Sequence, residues 1–257
     1  MIETGIKRSF LRGQGTDFES LREYVPDDDI RWIDWKNTAK YDRPISKNYQ
    51  TERVQNLLLL IDAGRMMATR IGSLTKLDHA VNASLILGYI ATHQGDRVGI
   101  LPFSDEIISF LPPTKQLNHI MEALYPIEAK LCEPNYRGVR RFISLNHRKR
   151  SLIVVFTDLS DTQSSSSLFS CISALSRHHL TLVVALNDPQ LIETAQLIPP
   201  DSLAAYEKGV ANSILLEREQ ILSRLLKKGA LTLDVSVERL SVAVINKYLE
   251  VKSKHRL

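Results

Sequence analysis

Cysteine is scarce in this sequence of 257 residues, which holds only Cys132 and Cys171. Two cysteines without a short spacing give neither a disulfide framework nor a zinc-binding pattern, which favours a reducing compartment. The sequence also lacks a signal peptide and any apolar run long enough to span a bilayer. We therefore expect a cytoplasmic location, or the cytoplasmic face of a membrane if the chain is a fragment of a longer protein.

The common catalytic motifs are missing as well. The sequence contains no Gly-x-Ser-x-Gly elbow, no phosphate-cradling glycine loop and no His-Glu-x-x-His helix. Its seven histidines are scattered, and we interpret them as surface residues rather than ligands. Cys171 has Leu168 and Leu175 at helical spacing, so we expect it in the core. The sequence predicts a protein that is not an enzyme and needs no cofactor.

The charge balance says little about partners. A net charge of +4 with a pI near 9.0 is mildly basic, and it favours nucleic acid only where the charge is clustered. One stretch, residues 137–150, concentrates cations that could follow a phosphate backbone. These cations are Arg137, Arg140, Arg141, Arg148, Lys149 and Arg150. A solvated helix face beside an acidic partner explains them better, so we expect no nucleic acid.

From residue 53 onward, continuously apolar strands alternate with amphipathic helices. This alternation is typical of a parallel sheet covered on both faces. We predict an α/β fold with a doubly wound, mostly parallel sheet, helices on both faces and an N-terminal extension. The extension is residues 1–52 and the α/β domain is residues 53–257. We also expect a short strand over residues 107–111, before Pro112 and Pro113.

The extension holds a dense polar block, residues 13–40, which contains both tryptophans of the chain. We expect short helical turns, the first ending near Arg22, and packing of the block on the domain that follows. Guanidinium groups pair with carboxylates and stack on rings, which suggests an interlocked cluster. Its members are Arg22, Asp28, Asp29, Arg31, Asp34 and Trp35. The cluster is either a structural brace, which we prefer, or a surface for a partner.

Two acidic residues, Asp62 and Asp158, stand at the carboxyl ends of two predicted core strands. Ligands of such sheets bind beyond these strand ends. Two carboxylates there suggest an oxygen-ligand site for a divalent ion. The alternative is that each residue only caps the helix that follows it.

A strand ending in Asp, a loop, a helix and a later strand ending in Asp resemble the layout of the von Willebrand factor A domain. In that family the first loop reads Asp-x-Ser-x-Ser and, with a distant Thr and the second Asp, coordinates Mg²⁺. The block from Gly13-Gln-Gly15 through Ile33-Asp34-Trp35 to Ala39-Lys40 resembles the signature of a subfamily, domain of unknown function 58. The resemblance implies a von Willebrand factor A-like, Rossmann-type fold. It also implies an interaction scaffold that works with a MoxR-type AAA+ ATPase.

This chain departs from the family's metal motif. It reads Asp62-Ala63-Gly64-Arg65-Met66, so both serine hydroxyls are replaced, and residues 133–139 contain neither Thr nor Ser. We therefore predict a degenerate site that binds no Mg²⁺, with remnant positions Asp62, Gly64, Met66 and Asp158. A basic side chain, Arg65 or alternatively Arg137 or Arg140, is expected to replace the ion. Two alternative functions stay open: a metal-dependent ligand-binding A domain that uses Asp62 and Asp158, or a nucleic-acid-binding module that uses the basic stretch at residues 137–150.

Overall fold

The computed structural model describes residues 18–25, 30, 33–49, 54–159 and 165–254. The chain forms two compact units, Met1–Val54 and Gln55–Leu257. Three members of the predicted cluster, Asp28, Asp29 and Arg31, lie outside the described residues.

The described residues of the first unit form two antiparallel strands and one helix. They are β1 (Phe18–Glu23), α1 (Trp35–Tyr41) and β2 (Ile45–Tyr49). The helical turn predicted to end near Arg22 is wrong, because Arg22 lies in β1 opposite Ser46 of β2. Strand pairing gives the backbone of this segment the hydrogen bonds that a helical turn was expected to supply. Asp34 caps α1, since its Oδ1 accepts the backbone N–H groups of Lys36 and Asn37, each at 3.2 Å.

The second unit is built on a six-stranded sheet. In chain order its strands are β3 (Asn56–Asp62), β6 (Arg97–Phe103), β7 (Leu111–Thr114), β8 (Leu152–Thr157), β9 (Leu180–Asn187) and β10 (Leu231–Ser236). Two further strands, β4 (Arg70–Ile71) and β5 (Leu74–Thr75), form a separate hairpin. The spatial order is β10-β9-β8-β3-β6-β7, and every neighbouring pair is parallel except β6 and β7. Along the chain, β6 and β7 are added to one side of β3, and β8, β9 and β10 are then added to its other side. This doubly wound order confirms the predicted α/β fold.

Helices cover both faces of this sheet, also as predicted. They are α2 (Lys76–His93), α3 (Leu117–Leu124), α4 (Tyr136–Asn146), α5 (Ser165–Leu175), α6 (Pro189–Gln196), α7 (Ser202–Lys227) and α8 (Leu240–Ser253). Alternate residues of β3 serve two separate cores, because successive strand side chains point to opposite faces. Leu57 and Leu59 pack with α2, α3 and α8, whereas Leu58 and Leu60 pack with α4, α5 and α7. Within the described part of the chain, no helix is long and apolar enough to cross a membrane.

The edge strand β7 differs from its prediction. The expected strand at residues 107–111 is only a bridge between Ile107 and Phe103, and β7 instead runs through Pro112 and Pro113. Proline lacks the N–H that a central strand needs, but it is tolerated at the edge of a sheet. Gly99 of β6 allows the close approach, since a Cβ atom there would lie 2.9 Å from the carbonyl oxygen of Leu111.

Candidate functional site at the carboxyl edge of the sheet

The two predicted carboxylates lie at the ends of neighbouring strands. β3 pairs in parallel with β8, with Ile61 opposite Phe156, so Asp62 and Asp158 leave the sheet at the same edge. The strand order reverses between β3 and β8. This point of an α/β sheet opens the crevice in which ligands usually bind. The structure therefore brings the two residues to the place where a site was predicted.

Asp62 is buried, and among the described residues it is held by hydrogen bonds from one backbone N–H and two hydroxyl groups. Its Oδ1 accepts the backbone N–H of Gly64 at 2.8 Å. Its Oδ2 accepts the hydroxyls of Thr157 at 2.7 Å and of Tyr136 at 3.1 Å. Burial raises the pKa of Asp62 to about 6, and the negative charge of Asp158 adds to the rise, while these hydrogen bonds oppose it. Asp62 therefore exchanges its proton close to neutral pH.

Asp158 forms a buried ion pair with Lys76. The Nζ atom of Lys76 lies 2.5 Å from Oδ2 of Asp158, and the two side chains are 5% and 0% exposed. Lys76 is the first residue of α2, and the side chain of Thr75 caps that helix by accepting the N–H of Asp78. A buried ammonium loses its hydration, so it stays charged only where a carboxylate compensates for that loss. The helix after the motif loop thus delivers a cation to the second carboxylate.

Arg218 of α7 provides a second buried cation. Its Nη1 atom lies 3.5 Å from Oδ1 of Asp158, and its side chain is 3% exposed. Its Nε and Nη2 atoms donate to Oδ1 of Asp234 in β10, at 3.1 and 2.8 Å. One guanidinium therefore links Asp158, just after β8, to Asp234 within β10. Lys76, Asp158 and Arg218 are buried, whereas the side chain of Asp234 is 34% exposed. We call these four residues the carboxylate network.

The other remnant positions of the metal motif provide no hydroxyl oxygen. At Gly64, a Cβ atom would lie 3.0 Å from both Oδ1 of Asp62 and the carbonyl oxygen of Cys132. The serine that the family places there would not fit without a shift of the loop. Met66 lies in a 3-10 turn, Arg65–Ala68, and contributes only a thioether. Among the described residues, no group of three or more His, Cys, Asp and Glu side chains is arranged to hold a metal ion.

The cation at the carboxylates is not the one predicted from the sequence. Arg65 begins the exposed 3-10 turn, and its Nε lies 2.7 Å from Oε1 of Glu133, with both side chains about half exposed. The alternates, Arg137 and Arg140, are exposed on α4, where Arg140 donates to the hydroxyl of Ser170 at 3.3 Å. Lys76 and Arg218 lie beside Asp158, where Arg65 was expected, because their helices direct them inward and the turn directs Arg65 outward.

Helical spacing could have identified both cations. Lys76 lies at spacings of four, seven and eleven residues from the buried Ala80, Ala83 and Leu87 of α2. Arg218 lies three and seven residues before the buried Ile221 and Leu225 of α7. A basic residue on the apolar face of a helix needs a buried acidic partner. Tyr136, the third missed residue, carries no comparable signal in the sequence.

The described members of the N-terminal cluster have separate roles. Asp34 caps α1, and its Oδ2 also lies 3.8 Å from Nζ of Lys47. Trp35 is 66% exposed. Arg22 donates to the carbonyl oxygen of Glu23 at 3.3 Å. The choice between a brace and a partner surface stays a prediction.

Curated proteins similar to this chain have no assigned function. Uncharacterized proteins of Mycobacterium bovis and Mycobacterium tuberculosis are each 23% identical to it in an alignment of 190 residues that covers 71% of this chain. The chain spans 58% of the length of these relatives.

Several solved structures resemble the chain. The von Willebrand factor A domain of SpRpn10 has a TM-score of 0.47 and 13% identity, covering 75% of this chain and 94% of that one. An aerotolerance-related membrane protein from Bacteroides fragilis has a TM-score of 0.47 and 18% identity, covering 76% and 100%. A von Willebrand factor type A protein from Catenulispora acidiphila has a TM-score of 0.46 and 11% identity, covering 82% and 44%.

A family model covers most of the sequence. The model described as Protein of unknown function DUF58 matches residues 20–201, which include the predicted signature from Arg22 onward and both strand-end carboxylates. The predicted family is confirmed, and the chain belongs to the DUF58 family.

Proposed function

We propose that this chain is a non-catalytic protein-interaction module of von Willebrand factor A type that binds no Mg²⁺ at its carboxyl-edge site. The observation that carries this proposal is the buried ion pair between Lys76 and Asp158. The ammonium group of Lys76 pairs with an oxygen of Asp158 that would coordinate the ion in a metal-binding relative. A lysine in this position supplies positive charge without any ligand.

The hydrogen bonds of Asp62 support the same conclusion. Both of its oxygens already accept hydrogen bonds from Gly64, Thr157 and Tyr136. Mg²⁺ requires near-octahedral coordination by six oxygens and gives up its waters reluctantly. Binding the ion would require breaking the pair between Lys76 and Asp158 and redirecting the hydroxyls around Asp62. No serine hydroxyl in the motif would compensate for these losses.

Two candidate nucleophiles, Cys171 and Ser151, are buried, which favours a role without catalysis. Burial raises the pKa of the Cys171 thiol to about 12, so this cysteine stays protonated and unreactive. His147 lies 2.6 Å from the hydroxyl of Ser151, but Ser151 is completely buried and no substrate can reach it. The paired carboxylates at the sheet edge are equally closed to a substrate.

The partner that we propose is a MoxR-type AAA+ ATPase, at the cytoplasmic face of a membrane or in the cytoplasm. This choice follows from the resemblance to the family, in which such an ATPase is the expected companion. The interaction would not depend on a metal ion in this chain. The basic stretch at residues 137–150 would then serve protein contacts rather than nucleic acid.

The test measures binding of this chain to the purified MoxR-type ATPase of the same organism. Asp62→Asn keeps the size of the side chain but removes the charge that a metal would need. We expect the wild type and Asp62→Asn to bind the ATPase with equal affinity. Equal melting temperatures would establish that the variant is folded.

Two results would contradict the proposal. If neither protein bound the ATPase, the assigned partner would be wrong. If the folded Asp62→Asn variant lost binding, the carboxylate would act in ligand capture, and the metal-dependent alternative would replace this proposal.

A further inference from the structure

A cationic cavity lies on the face of the sheet that α4, α5 and α7 cover, and none of the residues of the carboxylate network lines it. Its volume is about 290 Å³. Three basic side chains line it: Arg140 from α4, Arg177 from the turn after α5, and Lys228 from the end of α7. Three separate segments of the chain thus direct a cation toward the same space.

Small residues of α5 create the space between these cations. Ser170, Ser173 and Ala174 line the cavity from one face of α5, and Arg177 follows in the turn after the helix. The opposite face of α5 is apolar and buried in the core, which fixes the helix in place. Phe169 forms a further wall, and its ring also lies 6.0 Å from the guanidinium of Arg224. The cavity therefore has a rigid floor with two hydroxyl groups and a rim of positive charge.

The charges on this rim are not neutralised within the described chain. None of Arg140, Arg177 and Lys228 forms an ion pair there, and the lining contains no acidic side chain. The hydrogen bond of Arg140 goes to the neutral hydroxyl of Ser170 at 3.3 Å. Like charges that converge on one space repel each other. A bound anion would relieve this repulsion and pair with all three groups.

We propose that this cavity binds a phosphate monoester. Such a group carries up to two negative charges near neutral pH and presents several acceptor oxygens, which suit two guanidinium groups, one ammonium and two hydroxyls. A volume of about 290 Å³ lies at the lower end of the range for ligand pockets, which fits one compact anion. A nucleic acid would instead need a row of cations that follows successive phosphates. This inference is independent of the proposed function.

The phosphate could come from a free small molecule or from a phosphorylated side chain of a protein. The test titrates the full chain, at fixed ionic strength, with inorganic phosphate, a phosphoserine peptide, the same peptide without phosphate, and a DNA duplex. We expect saturable binding of inorganic phosphate. Equal affinity for the phosphopeptide indicates a free ligand, whereas tighter binding of the phosphopeptide indicates a protein source.

Matched variants locate the binding. Arg177→Gln and Lys228→Gln each remove one charge from the rim and should weaken phosphate binding at least about tenfold, or about 1.4 kcal/mol. Lys227→Gln removes an equal charge from an exposed neighbour outside the cavity and should leave the affinity unchanged. The proposal is overturned if phosphate does not saturate the protein or if all three variants bind alike. It is also overturned if the duplex binds more tightly than phosphate and the rim variants leave that binding intact.

Discussion

Lys76 is the residue on which the account of the carboxylate network depends most. Its ammonium is buried against Asp158, and removing one partner of such a pair leaves the other charge uncompensated in the interior. We expect Lys76→Met to lower the free energy of unfolding by about 3–5 kcal/mol. Urea denaturation at neutral pH measures this change.

A surface lysine provides the matched control. Lys130 pairs with Glu106 at 3.2 Å, but its side chain is 47% exposed, and exposed pairs contribute little to stability. Lys130→Met should therefore change stability little. A double variant, Lys76→Met with Asp158→Asn, should lose less than the sum of its single variants. Equal losses for Lys76→Met and Lys130→Met would show that the buried pair has no special role.

Asp62 makes a pH-dependent contribution to stability. Its pKa is raised from 3.8 to about 6 in the folded protein, so the folded state holds its proton more tightly than the unfolded state. The resulting stabilisation is complete below pH 4 and is lost as the pH rises through 6. The shift corresponds to about 3 kcal/mol at about 1.36 kcal/mol per pKa unit.

The variant Asp62→Asn isolates this term because it cannot titrate. The stability of the wild type, measured relative to Asp62→Asn by urea denaturation, should fall by about 3 kcal/mol between pH 4 and pH 6. It should stay constant above pH 7. Parallel pH profiles for the two proteins would show that Asp62 keeps an ordinary pKa.

At the scale of the secondary-structure elements, the sequence predicted the core strands well. A run such as Leu57–Ile61 is apolar at every position, and only a strand buried on both faces explains it. Cys171 was likewise placed in the core by its helical spacing, which is confirmed. The bounds of the edge strand β7 were predicted less well, because its pairing with the antiparallel strand β6 decides which residues form it. The prediction that the histidines lie at the surface is wrong for His147 and His179, whose rings are stacked and buried.

The candidate site could be predicted only in part. Its carboxylates follow directly from the strand ends, because every parallel strand ends at the same edge. Its cations, Lys76 and Arg218, come from helices that lie 82 and 60 residues away from Asp158 in the sequence. Their approach depends on how each helix packs across the sheet. Helix propensity and residue spacing predict which face of a helix is buried, but they do not predict which acidic residue that face contacts.

Glycine substitutions test the packing of the elements. Gly99 lies under β7, where a Cβ atom would be 2.9 Å from the carbonyl oxygen of Leu111 and 3.0 Å from Cδ1 of Leu58. Gly99→Ala should therefore destabilise the protein by about 1–3 kcal/mol. Gly209 lies within α7 and has no atom near its Cβ position, so Gly209→Ala should stabilise it by up to about 1 kcal/mol. Thermal unfolding of both variants checks the opposite signs.

A stabilised Gly99→Ala variant would mean that β7 does not approach β6 as closely as described. A destabilised Gly209→Ala variant would mean that this part of α7 has a packing partner.

At the scale of the whole molecule, two sites occupy different parts of the second unit. The carboxylate network lies at the carboxyl edge of the sheet, whereas the cavity on the α5 face presents cations that form no ion pair with the described residues. Under the proposed function, Lys76 replaces a metal ion, and the other surfaces stay available to partners. This arrangement is consistent with an interaction module of the DUF58 family.

The most direct test of the central claim is a thermal unfolding scan of the wild type with and without millimolar Mg²⁺ or Mn²⁺. A ligand that binds only the folded state must raise the melting temperature. The internal ammonium at Asp158 predicts no change with either ion. A rise of several degrees that disappears in Asp62→Ala would show that the carboxylates bind a metal despite Lys76, and it would contradict this account.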